Sequence, residues 1–190
     1  MFRAANRSKR GFTLVELMAV VVIVGILSTL AVYGVRKYVF STKTTEAIHM
    51  IGSIKSAEES YKSETFKYLG ASSGIDSSDH YYPRHKDPKT QSKADWTNTD
   101  HGDYSSVWGP LGVTSDSPVI FEYVIVAGAP GGAFPTISDF PNINWGPQGA
   151  SAPGPWYVVA ARADQNGDGT MSCFVSSNLT GEIFSIRDDE

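Results

Sequence analysis

A chain of 190 residues, 41% hydrophobic, 12% aromatic and 19% charged, has room for one globular domain of ordinary size plus something extra. A formal net charge of −4 offers no basic surface for nucleic acid, and a single cysteine, Cys173, excludes an intramolecular disulfide framework and a multi-cysteine zinc site. Eighteen glycines and ten prolines are too few for a collagen-like repeat, and the apolar content is too high for wholesale disorder.

The hydrophobicity is concentrated at the N-terminus. Residues 1–11 hold four basic side chains (Arg3, Arg7, Lys9 and Arg10) and no acid. Nineteen residues without a charge follow, from Leu17 to Val35. At the helical rise they reach roughly 28 Å, close to the thickness of a bilayer's hydrocarbon core. The basic flank predicts that the N-terminus stays cytoplasmic, and Arg36 and Lys37 are placed to snorkel at the far interface. An uncleaved signal anchor and a secretory signal peptide, with Thr29-Leu30-Ala31 as its cleavage site, both fit that description. Neither has a use for Glu16, since a carboxylate at the edge of an apolar span costs on the order of 3 kcal/mol.

The string Lys9-Arg10-Gly11-Phe12-Thr13-Leu14-Val15-Glu16-Leu17 resembles the processing site of the type IV pilin and pseudopilin family. The resemblance covers roughly residues 7–40. It implies that a prepilin peptidase cuts between Gly11 and Phe12 and methylates the new N-terminal Phe12. It also implies that Glu16, the fifth residue after that cut, pairs with the α-amino group of a neighbouring subunit's Phe12 during assembly. Such a pair neutralises two charges that would each be costly alone in a low-dielectric setting. A simpler role is also open to Glu16, at the positive end of its own helix. Many major pilins carry a proline at the twenty-second mature position. Here that place is Tyr33, followed by Gly34, so any loosening of the helix would centre on Gly25 or Gly34.

Past Arg36, Ile48, Ile51, Ile54 and Tyr61 recur at helical spacing beside Ala47 and Ala57. Lys43, Glu46, Lys55, Glu58, Glu59 and Lys62 fill the intervening places, the pattern of an amphipathic helix laid against a domain. No proline precedes Pro83, so one helix is predicted from about Thr13 to about Ser63. The following stretch, 64–118, reads as a long connection. Strands are predicted at Val119–Ala127, Trp156–Ala163, Thr170–Ser176 and Glu182–Ile186, with a glycine- and proline-rich segment at 128–155. The expected fold is α+β, a long N-terminal helix on a small antiparallel meander. Its expected divisions are a cleaved leader at 1–11, the helix at 12–63 with its first half in the membrane, and a head at 64–190.

Asp164-Gln165-Asn166-Gly167-Asp168-Gly169 places oxygen ligands at alternate positions and glycine at the sixth, the first half of a calcium loop. The twelfth position is Val175, where a bidentate glutamate belongs. Some secretion pseudopilins hold calcium near the C-terminus, so Asp164, Asn166 and Asp168 are calcium candidates. The competing reading is a hairpin that uses Asn-Gly and Asp-Gly for their positive φ. His80, His85 and His101 lie near Asp79, Asp100 and Asp103 without helical metal spacing, and His49 falls on the helix. Trp96, Trp108, Phe134, Phe140 and Trp145 invite a carbohydrate-binding reading against the plainer one of core packing. Cys173 reads as a core residue, and Asn178-Leu179-Thr180 matches a glycosylation sequon. No phosphate loop, catalytic triad order or paired-carboxylate motif occurs, so no enzymatic activity is expected.

Removing residues 1–11 takes four of the sixteen basic side chains, leaving 12 against 20 acidic ones, formally −8. Direct contact with DNA is therefore not expected. The sequence predicts a structural subunit of a type IV pilus, stored in the inner membrane and polymerised through its helix into an extracellular filament. Its expected partners are further pilin subunits, the prepilin peptidase, the inner-membrane assembly machinery and lipid. A periplasmic pseudopilin of a type II secretion system, or a minor tip pilin with adhesive loops, is the alternative. A membrane-anchored periplasmic binding protein that never polymerises is the distant one.

Overall fold

The computed structural model describes residues 11–71, 74–75, 81–85, 92–96, 104–136 and 150–186. Its chain order is α1 (Leu14–Thr65), a π-helical turn (Tyr104–Trp108) that runs into α2 (Gly109–Leu111), then β1 (Glu122–Gly128), β2 (Trp156–Ala163), β3 (Ser172–Ser177) and β4 (Phe184–Ile186). The chain divides into two compact units at Val39 and Phe40.

In the first unit every described residue, 11–39, is exposed. The segment is apolar on all sides and long enough to cross a membrane by length and composition. Many of its residues are β-branched and helix-poor in water, but in hydrocarbon a helix satisfies every backbone group within itself. The two hydroxyls inside the run follow the same rule. Ser28 donates to the Val24 carbonyl at 2.7 Å, and Thr29 to that of Ile26 at 2.7 Å. The helix continues without a break through Gly25 and Gly34.

In the second unit α1 becomes one-sided. Ala47, Met50, Ile51 and Ile54, spaced i, i+3, i+4 and i+7, are buried against the sheet. Ile48, expected in that stripe, is 45% exposed, and Met50 takes the place instead. The charged side chains on the flanks are not simply solvated. Lys43 donates to the Gln165 carbonyl at 2.5 Å, and Glu46 accepts the Ile120 and Phe121 amides at 2.7 and 3.3 Å. Lys55 donates to Ser176 Oγ and the Thr180 carbonyl, and Glu58 accepts the Leu69 amide at 3.0 Å. The apolar stripe is thus bracketed by four polar pins, each answering a backbone or hydroxyl group that the sheet and its turns leave over.

The sheet is an antiparallel meander in the order β1-β2-β3-β4. Its register runs from Glu122↔Arg162 to Gly128↔Trp156, from Val158↔Ser177 to Ala163↔Ser172, and from Cys173↔Ile186 to Val175↔Phe184. Period-two alternation sends Tyr123, Ile125, Tyr157, Val159, Ala161 and Phe174 to the helix side. Val124, Val126, Val158, Ala160, Cys173 and Val175 face the other way, where Ile75, Tyr81, Phe134 and Ala152 cover them. The sheet is therefore buried on both faces, which explains why β2 reads as a continuous apolar run rather than an alternating one. The outer edge of β1 is blunted by the segment before it. Ala71 donates to the Ile125 carbonyl, and Tyr82 exchanges two hydrogen bonds with Tyr123 at 2.8 and 2.7 Å.

The expected strands all appear, with the first and third starting later than expected and the fourth shortened to three residues. The predicted connection between helix and sheet also carries core residues. Trp96 and Trp108 pack edge to face at 5.3 Å, and the Trp96 indole N–H donates to the Val113 carbonyl at 2.8 Å.

Glu58 is fully buried, its Oε1 lacks a partner among the described residues, and burial pushes its carboxyl up to about 7. The neighbouring Glu59 acts in the same direction, while the Leu69 amide pulls the other way. A raised carboxyl favours the folded state while it is protonated and loses that advantage as pH rises through its folded value. Wild-type stability is therefore expected to fall between about pH 5 and about pH 8 by as much as ~3 kcal/mol. Glu58→Gln should flatten that slope in urea titrations followed by tryptophan fluorescence.

Candidate functional site

Two places combine the sequence-predicted site residues: the start of α1 and the loop between β2 and β3. At the first, Gly11, Phe12 and Thr13 precede the helix without regular structure, and Phe12 is 82% exposed. Gly11 is exposed as well. Thr13 and Glu16 form a capping box three residues apart. The Thr13 amide and hydroxyl both donate to Glu16 Oε2 at 2.8 Å, and the Glu16 amide donates to Thr13 Oγ1 at 3.3 Å. The Leu17 amide closes the turn on the Thr13 carbonyl at 3.2 Å. In the isolated chain the carboxylate therefore satisfies its own helix end. The sequence had left that role beside pairing with a neighbour, and the capping geometry does not consume the second role, because the helix N-terminus and a neighbouring ammonium attract the same charge.

The calcium expectation for Asp164, Asn166 and Asp168 meets a loop whose oxygens are already occupied. Asp164 is 1% exposed, and its two carboxylate oxygens accept the Gly167 and Gly169 amides at 2.6 and 2.8 Å. Asp168 is exposed and accepts the Thr170 amide and the Asn166 side-chain amide, while Asn166 Oδ1 accepts the Asp168 amide. Gly167 and Gly169 take φ values of 81° and 84°, the left-handed region that makes glycine the fitting residue at both places. Among the described residues no group of three or more His, Cys, Asp or Glu side chains converges as a metal site. As folded, the Asp164 carboxylate is buried and holds two backbone amides, whereas Asp168 is exposed.

The remaining sequence candidates resolve as core or lie outside the described residues. Trp96, Trp108 and Phe134 are buried at 1%, 0% and 3%, so these aromatic rings offer no platform to a sugar. Phe140 and Trp145, and His80 and His101 with Asp79, Asp100 and Asp103, lie outside the described residues. Cys173 is buried in β3. Asn178 of the sequon is committed to structure, accepting the Tyr157 amide at 3.1 Å and donating to the Pro155 carbonyl at 3.2 Å.

His85 belongs to an arrangement that the sequence did not reveal. Its amide donates to Glu122 Oε1 at 3.1 Å, and Glu122 Oε2 receives Arg162 Nε at 3.1 Å. The Arg162 guanidinium lies 3.7 Å from the Tyr81 ring centroid. The pair stands at Glu122↔Arg162 in the register, and both partners are buried. It anchors the 81–85 segment to the sheet. The only forewarning was a charged residue in each of two otherwise apolar strands.

A cavity of about 360 Å³ opens between α1 and the turn after β3, lined by Lys55, Glu59, Tyr157, Asn178 and Leu179 among others. Lys55 and Asn178 already hold structural hydrogen bonds there, and among the described residues no cysteine, histidine or aspartate lines it.

A family model described as the prokaryotic N-terminal methylation motif matches residues 6–32. A protein named fimbrial protein from Pseudomonas aeruginosa is 41% identical over 54 residues, 28% of this chain and 35% of its own length. A type II secretion system core protein G from the same species is 39% identical over 71 residues, 37% of this chain and 50% of its own length. A type IV major pilin protein PilA from Myxococcus xanthus is 40% identical over 63 residues, 33% of this chain and 29% of its own length. The chain thus spans half or less of the length of these relatives. No solved structure matches it.

Thr13→Val keeps shape and removes the hydroxyl that both gives and receives a hydrogen bond in the capping box. Loss of such a cap costs about 1 kcal/mol, so amide exchange at Glu16 and Leu17 in detergent micelles should accelerate roughly fivefold, with exchange beyond Val20 unchanged.

Proposed function

We propose, for a chain whose N-terminal segment is that of a type IV pilin or pseudopilin, that it is a structural subunit of a type IV pilus filament. One observation carries the reading. Residues 14–39 form a helix that is exposed on every side and almost wholly apolar, with Glu16 the only acid in it. Such an exposed apolar surface calls for a cover, lipid in the stored subunit and other helices in a polymer. Burial of apolar surface is the dominant attraction available to subunits that are formally −8 once the leader is removed.

On this reading a prepilin peptidase cuts the exposed Gly11–Phe12 bond and methylates Phe12, and residues 1–11 serve as leader. The precursor resides in the inner membrane with its head on the far side, and the assembly machinery draws it into an extracellular filament. The new Phe12 ammonium of one subunit then meets the Glu16 carboxylate of the next. Glu16 enters that pair already oriented by Thr13, which lowers the ordering cost of the encounter. Hydrophobic packing supplies the attraction between subunits, and the carboxylate supplies the register. A filament role asks no catalysis of the chain, and both the fimbrial and the secretion relatives are named for assemblies rather than reactions.

Glu16→Val tests the reading without harming the head. It should increase insertion into membranes, since the costly charge is gone, and leave leader cleavage intact. It should also reduce incorporation into sheared filaments at least tenfold when co-expressed with the wild-type chain. Incorporation at the wild-type level would remove the reason to assign Glu16 to assembly.

A further inference from the structure

The outer edge of β1 is covered where Ala71 donates to the Ile125 carbonyl at 2.8 Å, and the segment that carries Ala71 there is held by the last turns of α1. The chain leaves the helix through Phe66, the one non-glycine residue with positive φ (61°) among the described residues. A bulky side chain is strained in that region, so the reversal is imposed by the contacts that follow it. Glu58 accepts the Leu69 amide at 3.0 Å. Tyr68 donates to Glu59 Oε1 and receives the Lys62 ammonium, both at 2.8 Å, and its ring meets Tyr157 edge to face at 4.7 Å. Gly70 then passes so close to β1 that a Cβ would stand 2.8 Å from the Ala127 nitrogen.

Glu58 is the weak member of this set. It falls four residues after Ile54 in the buried stripe, where an apolar side chain belongs, and it is fully buried. One carboxylate oxygen holds the Leu69 amide, and the other has no partner among the described residues. No cation answers it, since Lys55 is turned to Ser176 and Thr180 and Lys62 to Tyr68. The other titratable groups on the elements packed there are Glu59 on the same helix, Tyr68 and the exposed Lys67 on the segment, and Tyr157 on β2. Glu59 adds to the cost of ionising Glu58, and burial raises both phenols above their ordinary range, so they stay neutral.

We infer that residues 66–71 form a pH-gated strap: with Glu58 protonated the strap lies closed on α1 and on the edge of β1, and ionisation of Glu58 lifts it. The neutral acid fits its apolar place and still accepts one amide. The ionised form is an unpaired buried charge, and it reaches water only when Leu69 and its neighbours move off. The closed form keeps its proton up to about 7, whereas an open, solvated carboxyl keeps it only to the ordinary 4.5. Opening therefore becomes steadily easier as pH rises from about 5 to about 7, and levels off above that. Lifting the strap frees the Ile125 carbonyl and turns a covered sheet edge into one that can pair, while the β1–β2 ladder stays in place. The device lies within the head and does not depend on the filament reading.

Amide hydrogen exchange on the full-length chain in detergent micelles, corrected for the intrinsic pH dependence of exchange, reads the strap directly. Protection at Leu69 and Ala71 should fall about fiftyfold between pH 5 and pH 8, while Val159 in β2 stays more protected throughout. Glu58→Gln keeps a carbonyl for the Leu69 amide and cannot ionise, so protection at those two amides should be the same at both pH values. Three results overturn the inference. The first is wild-type protection that does not change with pH, and the second is the wild-type slope retained in Glu58→Gln. The third is exchange at Leu69 and Ala71 at the rate of Val159, the mark of global unfolding. Should the variant fail to fold, the wild-type pH series and its comparison with Val159 still decide.

Discussion

A single helix here has to satisfy two different surroundings. From Leu14 to Val39 every side chain is exposed and nearly all are apolar. From Phe40 to Thr65 the buried apolar side chains are those of the stripe Ala47, Met50, Ile51 and Ile54, and most of the remaining positions are polar. The head depends on that stripe. A four-stranded sheet of short strands cannot bury both its faces alone, and α1 covers one of them. Around the stripe, Lys43, Glu46, Lys55 and Glu58 meet groups at the ends of strands and turns, where the ladder of hydrogen bonds stops. Apolar burial supplies the attraction, and the pins fix where along the helix the sheet sits.

Among the described residues, the opposite face of the sheet is covered by loop segments. Ile75, Tyr81, Phe134 and Ala152 come from segments with little regular structure, yet they sit on Val124, Val158 and Cys173 as core residues. Glu122 and Arg162 lie on the same face and hold the 81–85 segment by its backbone and by the Tyr81 ring. Two-sided burial of the sheet is the physical reason that a head with one free cysteine and no metal cluster among its described residues has a continuous core. Packing substitutes for covalent closure.

Much of this was legible in the sequence because it is local. An uninterrupted apolar run and a proline-free continuation define α1 almost to its ends. Runs of valine, isoleucine and aromatics define the strands, and β2 begins and ends where its composition changes. The basic leader with Gly11, Phe12 and Glu16 carries the resemblance to pilins, which the methylation-motif match supports. The pins were not legible. Lys43 and Glu46 find their partners 122 and 74 residues away, and nothing at their own positions distinguishes a pinned charge from a solvated one. Ile48 misled for a related reason: periodicity identifies a helix face only to within one residue, and Met50 filled the stripe as well as isoleucine would. Asn-Gly and Asp-Gly serve metal loops and hairpins alike, so the sequence left both readings open for the Asp164–Gly169 loop, in which the Asp164 carboxylate holds two backbone amides.

The central claim is that this chain is processed at Gly11–Phe12 and then built into filaments through its exposed helix. Intact mass spectrometry of filaments sheared from cells that express it tests that claim most directly. The account predicts a dominant species that begins at Phe12 and carries one additional methyl group. A chain that retains residues 1–11, or one that is absent from the sheared fraction while processed in the membrane, contradicts it.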